Sequence, residues 1–163
     1  IMQSNDFEFS INITEDDLCR NYLYDYLLEK SKLYGIKSSR VILEILEGVS
    51  SSGKASQIAQ LNAIKQQGFK LAIDDFGAEY SNFERILDLD IDFIKIDAKY
   101  IKNIDTDKKS YEVARAIAYF AKNAKISCVA EFVHSKEVQV IVDELGIDFS
   151  QGYLFSEPKE TFG

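Results

Sequence analysis

Short apolar, β-branched segments alternate with stretches of helical spacing along the 163-residue chain. Between Val113 and Ala124, apolar side chains recur at the i, i+4, i+7, i+8 and i+11 positions, which predicts an amphipathic helix. The predicted strands are 7–13, 40–45, 69–74, 92–96, 126–130 and 147–149. This alternation predicts about six β/α units and a parallel sheet covered by helices.

Helix ends are also visible in the sequence. Thr14 and Asp17 have the spacing of a capping box, which predicts a helix that starts there and runs to near Tyr34. Gly35, Gly68 and Gly146 each follow a helical stretch and precede a strand. Glycine tolerates the left-handed conformation that ends many helices, so these three residues are predicted to be C-terminal caps.

The pattern by itself leaves two architectures open, a doubly wound open sheet and a closed (β/α) barrel. No G-x-G-x-x-G sequence follows the first strand, which disfavours a dinucleotide-binding sheet. The length fits one domain of about 100–200 residues. No apolar run reaches the roughly 20 residues that span a bilayer. Cys19 and Cys128 lie far apart in apolar surroundings and are predicted to be buried, reduced thiols of a cytoplasmic protein.

Polar side chains stand where the predicted strands end. Parallel strands end at one edge of a sheet, and in (β/α) barrels that edge carries the active site. Carboxylate and amide oxygens suit Mg²⁺, Mn²⁺ or Ca²⁺, whereas a single histidine, His134, provides no multi-histidine centre. The alternative is structural, because acids at strand ends also cap helices. The residues concerned are Asn12, Glu44, Asp74, Asp75, Lys95, Glu131 and Gln151.

At these positions the sequence resembles the EAL family of cyclic di-GMP phosphodiesterases. The matching segments are SINIT (10–14), LEILE (43–47), DDFGAEYSNF (74–83), FIKID (93–97), AEFVHS (130–135) and FSQGYLFSEP (149–158). The resemblance implies an α/β fold of the TIM-like (β/α) barrel type, here an incomplete barrel made of strands three to eight. The family's EAL strand is expected before Ile1, so residues 1–163 are expected to form one N-terminally truncated EAL domain.

The resemblance also implies roles for the residues at the strand ends. Lys95 is expected to orient the attacking water and, with Glu131, to be catalytic. Glu47 is expected to support a neighbouring loop, and Gln151 to lie at the substrate. The metal ligands are expected to be Asn12, Glu44, Asp74, Asp75 and Glu131, together with the glutamate of the upstream EAL motif.

The implied reaction is hydrolysis of cyclic di-GMP to linear pGpG with two Mg²⁺ or Mn²⁺ ions. The alternative is an inactive EAL domain that acts as a cyclic di-GMP receptor. Two departures from the family pattern slightly favour that alternative: Ala78 and Glu79 replace Thr-Gly, and His134 replaces the last Glu of AEGVE, in which Phe132 also replaces Gly. The complete set of expected ligands within the chain argues against a degenerate domain. None of the aromatic residues is assigned to base recognition.

Further expectations concern partners. A net charge of −8 argues against nucleic acid as a partner, because such a surface needs clustered Lys and Arg. The resemblance implies a possible homodimer through the segment after DDFG, near Asn82, Phe83 and Arg85, and an upstream GGDEF or sensory domain. The segment itself is expected in the bacterial cytoplasm without membrane contact, even where the parent protein is membrane-anchored.

Overall fold

The computed structural model describes residues 7–20, 22–48, 55–78, 86–87 and 89–159. The strands within them are β1 Phe9–Ile13, β2 Val41–Leu46, β3 Lys70–Phe76, β4 Phe93–Ile96, β5 Ser127–Ala130 and β6 Phe149–Ser150. The helices are α1 Glu15–Cys19, α2 Leu23–Tyr34, α3 Ala55–Gln66, α4 Ala98–Ile101, α5 Lys108–Ala124 and α6 Lys136–Glu144, with a 3-10 turn at Ser38–Arg40. Each predicted strand is confirmed, and no strand end moves by more than about two residues.

The chain divides into two compact units. The first contains residues 1–74 and 79–92, and the second contains residues 75–78 and 93–163. In the first unit β1 pairs with β2, and β2 pairs with β3, always in parallel. In the second unit β4 pairs with β5, and β5 pairs with β6, again in parallel. Parallel pairing throughout agrees with the prediction from the β/α alternation.

The first unit confirms the predicted start of the first helix but not its length. Thr14 Oγ1 accepts from the Asp17 backbone N–H over 3.3 Å, and Asp17 Oδ2 accepts from the Thr14 N–H over 3.0 Å. The prediction of one helix as far as Tyr34 is wrong, because α1 ends at Cys19 and α2 begins at Leu23. In one helix, positions 18 and 23 would point roughly 140° apart. The break therefore lets Leu18 and Leu23 both be buried.

The second unit is built around the long helix α5. Its predicted apolar stripe is confirmed, although the face that is most buried is centred on Ala114, Ile117, Ala118 and Ala121. Asp107 caps the start of α5 by accepting from the backbone N–H groups of the next turn. The helix ends at Ala124, and its C-cap residue Lys125 has a left-handed φ of 60° without being glycine.

The three predicted glycine caps are confirmed. Gly35, Gly68 and Gly146 have φ values of 64°, 88° and 68°, the left-handed region that other residues rarely adopt. Both cysteines are free, and Cys128 is buried as predicted. The prediction that Cys19 is buried is wrong, because in the short helix α1 only Leu18 points into the core. Among the described residues, no helix is long and apolar enough to cross a membrane.

Candidate active site

In the first unit, strand register places three polar side chains on one face of the sheet. Asn12 on β1 lies opposite Glu44 on β2, and Glu44 lies opposite Ala72 on β3. Asp74 follows Ala72 by two residues, and side chains alternate along a strand, so Asp74 belongs to the same face. The amide of Asn12 and the carboxylates of Glu44 and Asp74 therefore line the same side of three adjacent strands.

Glu47 occupies a different environment from these three residues. It follows the end of β2 by one residue and its side chain is only 3% exposed. A buried carboxylate of this kind agrees with the predicted supporting role better than with direct contact to a ligand. That role stays a prediction.

The second unit repeats the same arrangement of polar residues. Lys95 on β4 lies opposite Val129 on β5, and Val129 lies opposite Phe149 on β6. Glu131 follows Val129 by two residues, and Gln151 follows Phe149 by two residues. By the alternation of side chains, Lys95, Glu131 and Gln151 belong to one face.

Lys95 and Glu131 form an ion pair in this unit. Lys95 Nζ lies 2.9 Å from Glu131 Oε1, and Lys95 is only 7% exposed. Burial of an ammonium group is costly unless a carboxylate lies close by. The close contact with Glu131 therefore stabilises the charge of the buried Lys95. Asp75 also offers a carboxylate oxygen within 4.8 Å of that of Glu131. Two carboxylates this close repel one another unless cations lie beside them.

The backbone at Asp75 explains how its side chain becomes accessible. Asp75 lies in β3 with a φ of 53°, in the left-handed region, and is exposed. Its neighbours Ile73 and Phe76 are fully buried. Regular alternation would place Asp75 on the face of Ile73, so the local break in the strand turns its carboxylate out of the core. Asp74 directly precedes it, so two consecutive residues of the chain offer carboxylate oxygens to a metal ion.

The turn after Asp75 is fixed by Tyr100. The Tyr100 hydroxyl donates to the Gly77 carbonyl oxygen over 2.9 Å. A Cβ atom added to Gly77 would lie 2.9 Å from Tyr100 Cε2 and 3.2 Å from Ile117 Cδ1, and its φ is 92°. The glycine of DDFG is therefore required by both backbone conformation and space. The sequence carried no signal for the part played by Tyr100, because the contact is tertiary.

A cavity of about 240 Å³ opens beside Glu131. Apart from Ala98, the lining residues lie in two segments, 131–134 and 151–154. Hydrogen bonds from Val133 N to Gln151 O (2.9 Å) and from Leu154 N to Val133 O (3.1 Å) join these segments. A Cβ atom on Gly152 would lie 2.2 Å from Val133 O, so only glycine allows this close approach. The lining residues are Ala98, Glu131, Phe132, His134, Gln151, Gly152 and Tyr153.

Comparisons with known proteins identify the family to which this chain belongs. The family model "EAL domain" matches residues 1–158, so the chain belongs to the EAL domain family. Among curated proteins, the chain is 36% identical over 151 residues to "Probable cyclic di-GMP phosphodiesterase PdeA" of Escherichia coli (strain K12). That match covers 93% of this chain and 21% of the relative. The chain thus spans between about a fifth and a third of the length of the curated relatives it matches.

Solved structures give the architecture. The EAL enzyme Bd1971 in its cAMP and cyclic-di-GMP bound form matches with a TM-score of 0.89 and 31% identity, over 94% of this chain and 40% of that one. Klebsiella pneumoniae BlrP1 in a manganese and cyclic di-GMP complex matches with a TM-score of 0.86 and 28% identity, over 93% and 39%. The chain therefore has the α/β fold of EAL domains, as part of a TIM-like barrel, which confirms the predicted fold class. Of the two architectures left open by the sequence pattern, the barrel is right.

Some predictions fall on other parts of the chain. Glu79, Asn82, Phe83 and Arg85 lie outside the described residues. The roles of the site residues also stay predictions, although register and distances group them as described above.

Proposed function

We propose that this chain is the catalytic part of a cyclic di-GMP phosphodiesterase, which hydrolyses its substrate to linear pGpG. The observation that carries the proposal is the buried Lys95–Glu131 ion pair, with Asp75 as a second carboxylate within 4.8 Å of Glu131, in a chain of the EAL family. A buried ion pair with a further carboxylate beside it, at the ends of parallel strands, is a candidate active site, and the family membership supplies the substrate.

The donor set fits divalent cations. All candidate ligands are carboxylate or amide oxygens, the donors that Mg²⁺ and Mn²⁺ prefer. Bound at these residues, the ions supply positive charge that offsets the phosphodiester and favours attack by water. The residues proposed to hold them are Asn12, Glu44, Asp74, Asp75 and Glu131.

The other polar residues act on the water and the substrate. Lys95 donates hydrogen bonds to the attacking water and holds it in line with the phosphorus, while Glu131 fixes the direction of the ammonium group. The positive charge of Lys95 also offsets charge that develops on the phosphoryl oxygens. Gln151 contributes an amide that contacts the substrate from the cavity wall, and Glu47 supports the loop after β2.

The partner and domain assignments are part of the same proposal. Residues 1–163 belong to one EAL domain, which acts in the bacterial cytoplasm beside an upstream GGDEF or sensory domain. Two copies associate through the segment after DDFG. Family membership and the order of the motifs along the chain support these assignments.

The test is hydrolysis of cyclic di-GMP by the full-length protein. We expect pGpG to accumulate with Mg²⁺ or Mn²⁺ and not with excess chelator. Rates measured with each ion at equal concentration show which ion supports faster turnover. Glu131→Gln and Lys95→Met are each expected to reduce kcat by about 10²-fold or more. The control is Glu144→Gln, a change of the same kind at the exposed end of α6.

Three outcomes separate the possibilities. Turnover that survives in Glu131→Gln would contradict the proposed site. Tight binding of cyclic di-GMP by the unaltered protein without any turnover would assign the receptor role instead. A protein that neither binds nor hydrolyses cyclic di-GMP would show that cyclic di-GMP is not its ligand. Thermal unfolding of each variant shows whether a loss of activity is a loss of folding.

A further inference from the structure

Phe132 holds a backbone conformation that bulky residues rarely adopt. Its φ is 58°, in the left-handed region, where the Cβ atom crowds the following carbonyl oxygen. The family pattern AEGVE carries glycine at this position, and glycine adopts this region without strain. Burial often compensates for such strain, yet the Phe132 side chain is 46% exposed. Neither backbone preference nor core packing accounts for a phenylalanine here.

The Phe132 ring is held at the cavity by its neighbours. Lys102 Nζ lies 5.6 Å from the ring centroid, and the His134 ring centroid lies 5.8 Å away at an interplanar angle of 55°. His134 Nδ1 also lies 3.3 Å from the Phe132 carbonyl oxygen. A ring that is positioned before a ligand arrives loses little conformational entropy when the ligand binds.

The cavity limits what part of a ligand can meet this ring. At about 240 Å³ it is smaller than the roughly 300–1,000 Å³ that is usual for a whole drug-sized ligand. It therefore accommodates one portion of a cyclic dinucleotide. Gln151 lines the same cavity with an amide that both donates and accepts, which suits the edge of a base.

We propose that Phe132 is a base-stacking residue, on whose exposed ring one purine base of cyclic di-GMP packs, an inference that rests on the function proposed above. Strained residues concentrate at ligand-binding positions, where the strain is retained because the side chain serves binding. Bases stack on phenyl rings through their planar faces. Glu131, the residue before Phe132, belongs to the proposed metal site, so the stacked base lies next to the reacting phosphodiester.

The test compares side chains at position 132 in the full-length protein. Binding of cyclic di-GMP is measured by calorimetry with Ca²⁺ present, for Phe132→Gly, Phe132→Leu and Phe132→Tyr. The glycine and leucine variants are expected to bind about 5- to 100-fold more weakly, because each lacks an aromatic face. The tyrosine variant retains that face and is expected to bind within about twofold of the unaltered protein. The control is Tyr119→Leu, which removes an exposed aromatic ring from α5, outside the cavity lining.

Stability separates a binding role from a structural one. Phe132→Gly relieves the backbone strain, so its thermal midpoint is expected to be at least as high as that of the unaltered protein. Equal affinities of the glycine, leucine and unaltered proteins would overturn the stacking role and leave the phosphodiesterase proposal standing. An unaltered protein that neither binds cyclic di-GMP in this assay nor hydrolyses it with Mg²⁺ or Mn²⁺ would overturn both.

Discussion

Asp148 and Cys128 are joined by two hydrogen bonds. The Asp148 N–H donates to the Cys128 carbonyl oxygen over 3.1 Å, and the Cys128 N–H donates to Asp148 Oδ2 over 2.8 Å. The first unit repeats the pattern between Asp92 and Leu71, at 3.0 Å and 2.8 Å. In both cases the aspartate ends an I-D pair that precedes phenylalanine, in segments 91–93 and 147–149. A side-chain carboxylate thus completes the pairing where a parallel strand begins.

Removal of the Asp148 carboxylate is expected to destabilise the fold. Asp148→Ala leaves the Cys128 N–H without this acceptor in a partly buried position, which costs about 1–3 kcal/mol in the free energy of unfolding. Asp148→Asn keeps an acceptor oxygen and is expected to cost less. The measurement is urea unfolding of each variant, with Asp105→Ala in an exposed turn as the control. If Asp148→Ala were as stable as Asp105→Ala, the bond would have no energetic role.

Gly152→Ala is expected to displace the wall of the cavity. The new Cβ atom would lie 2.2 Å from the carbonyl oxygen and 2.4 Å from the nitrogen of Val133, so one of the two cavity segments must move. We expect turnover of cyclic di-GMP to fall by about 10-fold or more, because Glu131 lies two residues before Val133 and shifts with it.

Gly146→Ala provides the matched control for that variant. Gly146 also has a positive φ, 68°, but an added Cβ atom would meet nothing within 4 Å. Gly152 has a φ of 155° and Gly146 a φ of 68°, so alanine is strained at both positions, and only Gly152→Ala adds a steric clash. Turnover that falls equally in the two variants would assign the effect to lost stability and not to the cavity wall.

The two cysteines are expected to differ in reactivity. Burial, and secondarily the negative charge of Asp148, raises the pKa of the Cys128 thiol to about 12 from an ordinary value of 9.0. Cys19 is exposed. Because the thiolate is the reactive form, a disulfide reagent at pH 8 is expected to label Cys19 promptly and Cys128 only after unfolding. Prompt labelling of Cys128 in the native Cys19→Ser variant would contradict this.

The same pKa shift predicts a loss of stability at high pH. Below pH 9 the Cys128 thiol keeps its proton in both the folded and the unfolded chain, so it contributes no pH dependence to the free energy of unfolding. Between pH 9.0 and about 12 the unfolded chain releases this proton and the folded chain does not. The free energy of unfolding therefore falls with rising pH across this window. Cys128→Ala is expected to remove that part of the slope in urea titrations at several pH values.

Local sequence patterns determined the secondary structure of this chain and the position of its candidate site. Apolar periodicity placed all six strands, because alternation of strand and helix follows from which side chains must be buried. The glycines at positions 35, 68 and 146 were identifiable as helix ends, because left-handed backbone is a local property. The order of polar residues at strand ends indicated the candidate site, since parallel strands end at a common edge.

Only the tertiary structure decided the remaining features. The break after Cys19 depends on the burial of both Leu18 and Leu23, and the exposure of Cys19 follows from it. The Lys95–Glu131 ion pair joins residues 36 positions apart in the chain. The distance between the ammonium and carboxylate groups of such distant residues cannot be predicted from sequence patterns. The positive φ of Phe132 likewise depends on how segments 131–134 and 151–154 bond to one another. Secondary structure follows from short-range preferences, whereas these features follow from contacts that form only when distant segments pack together.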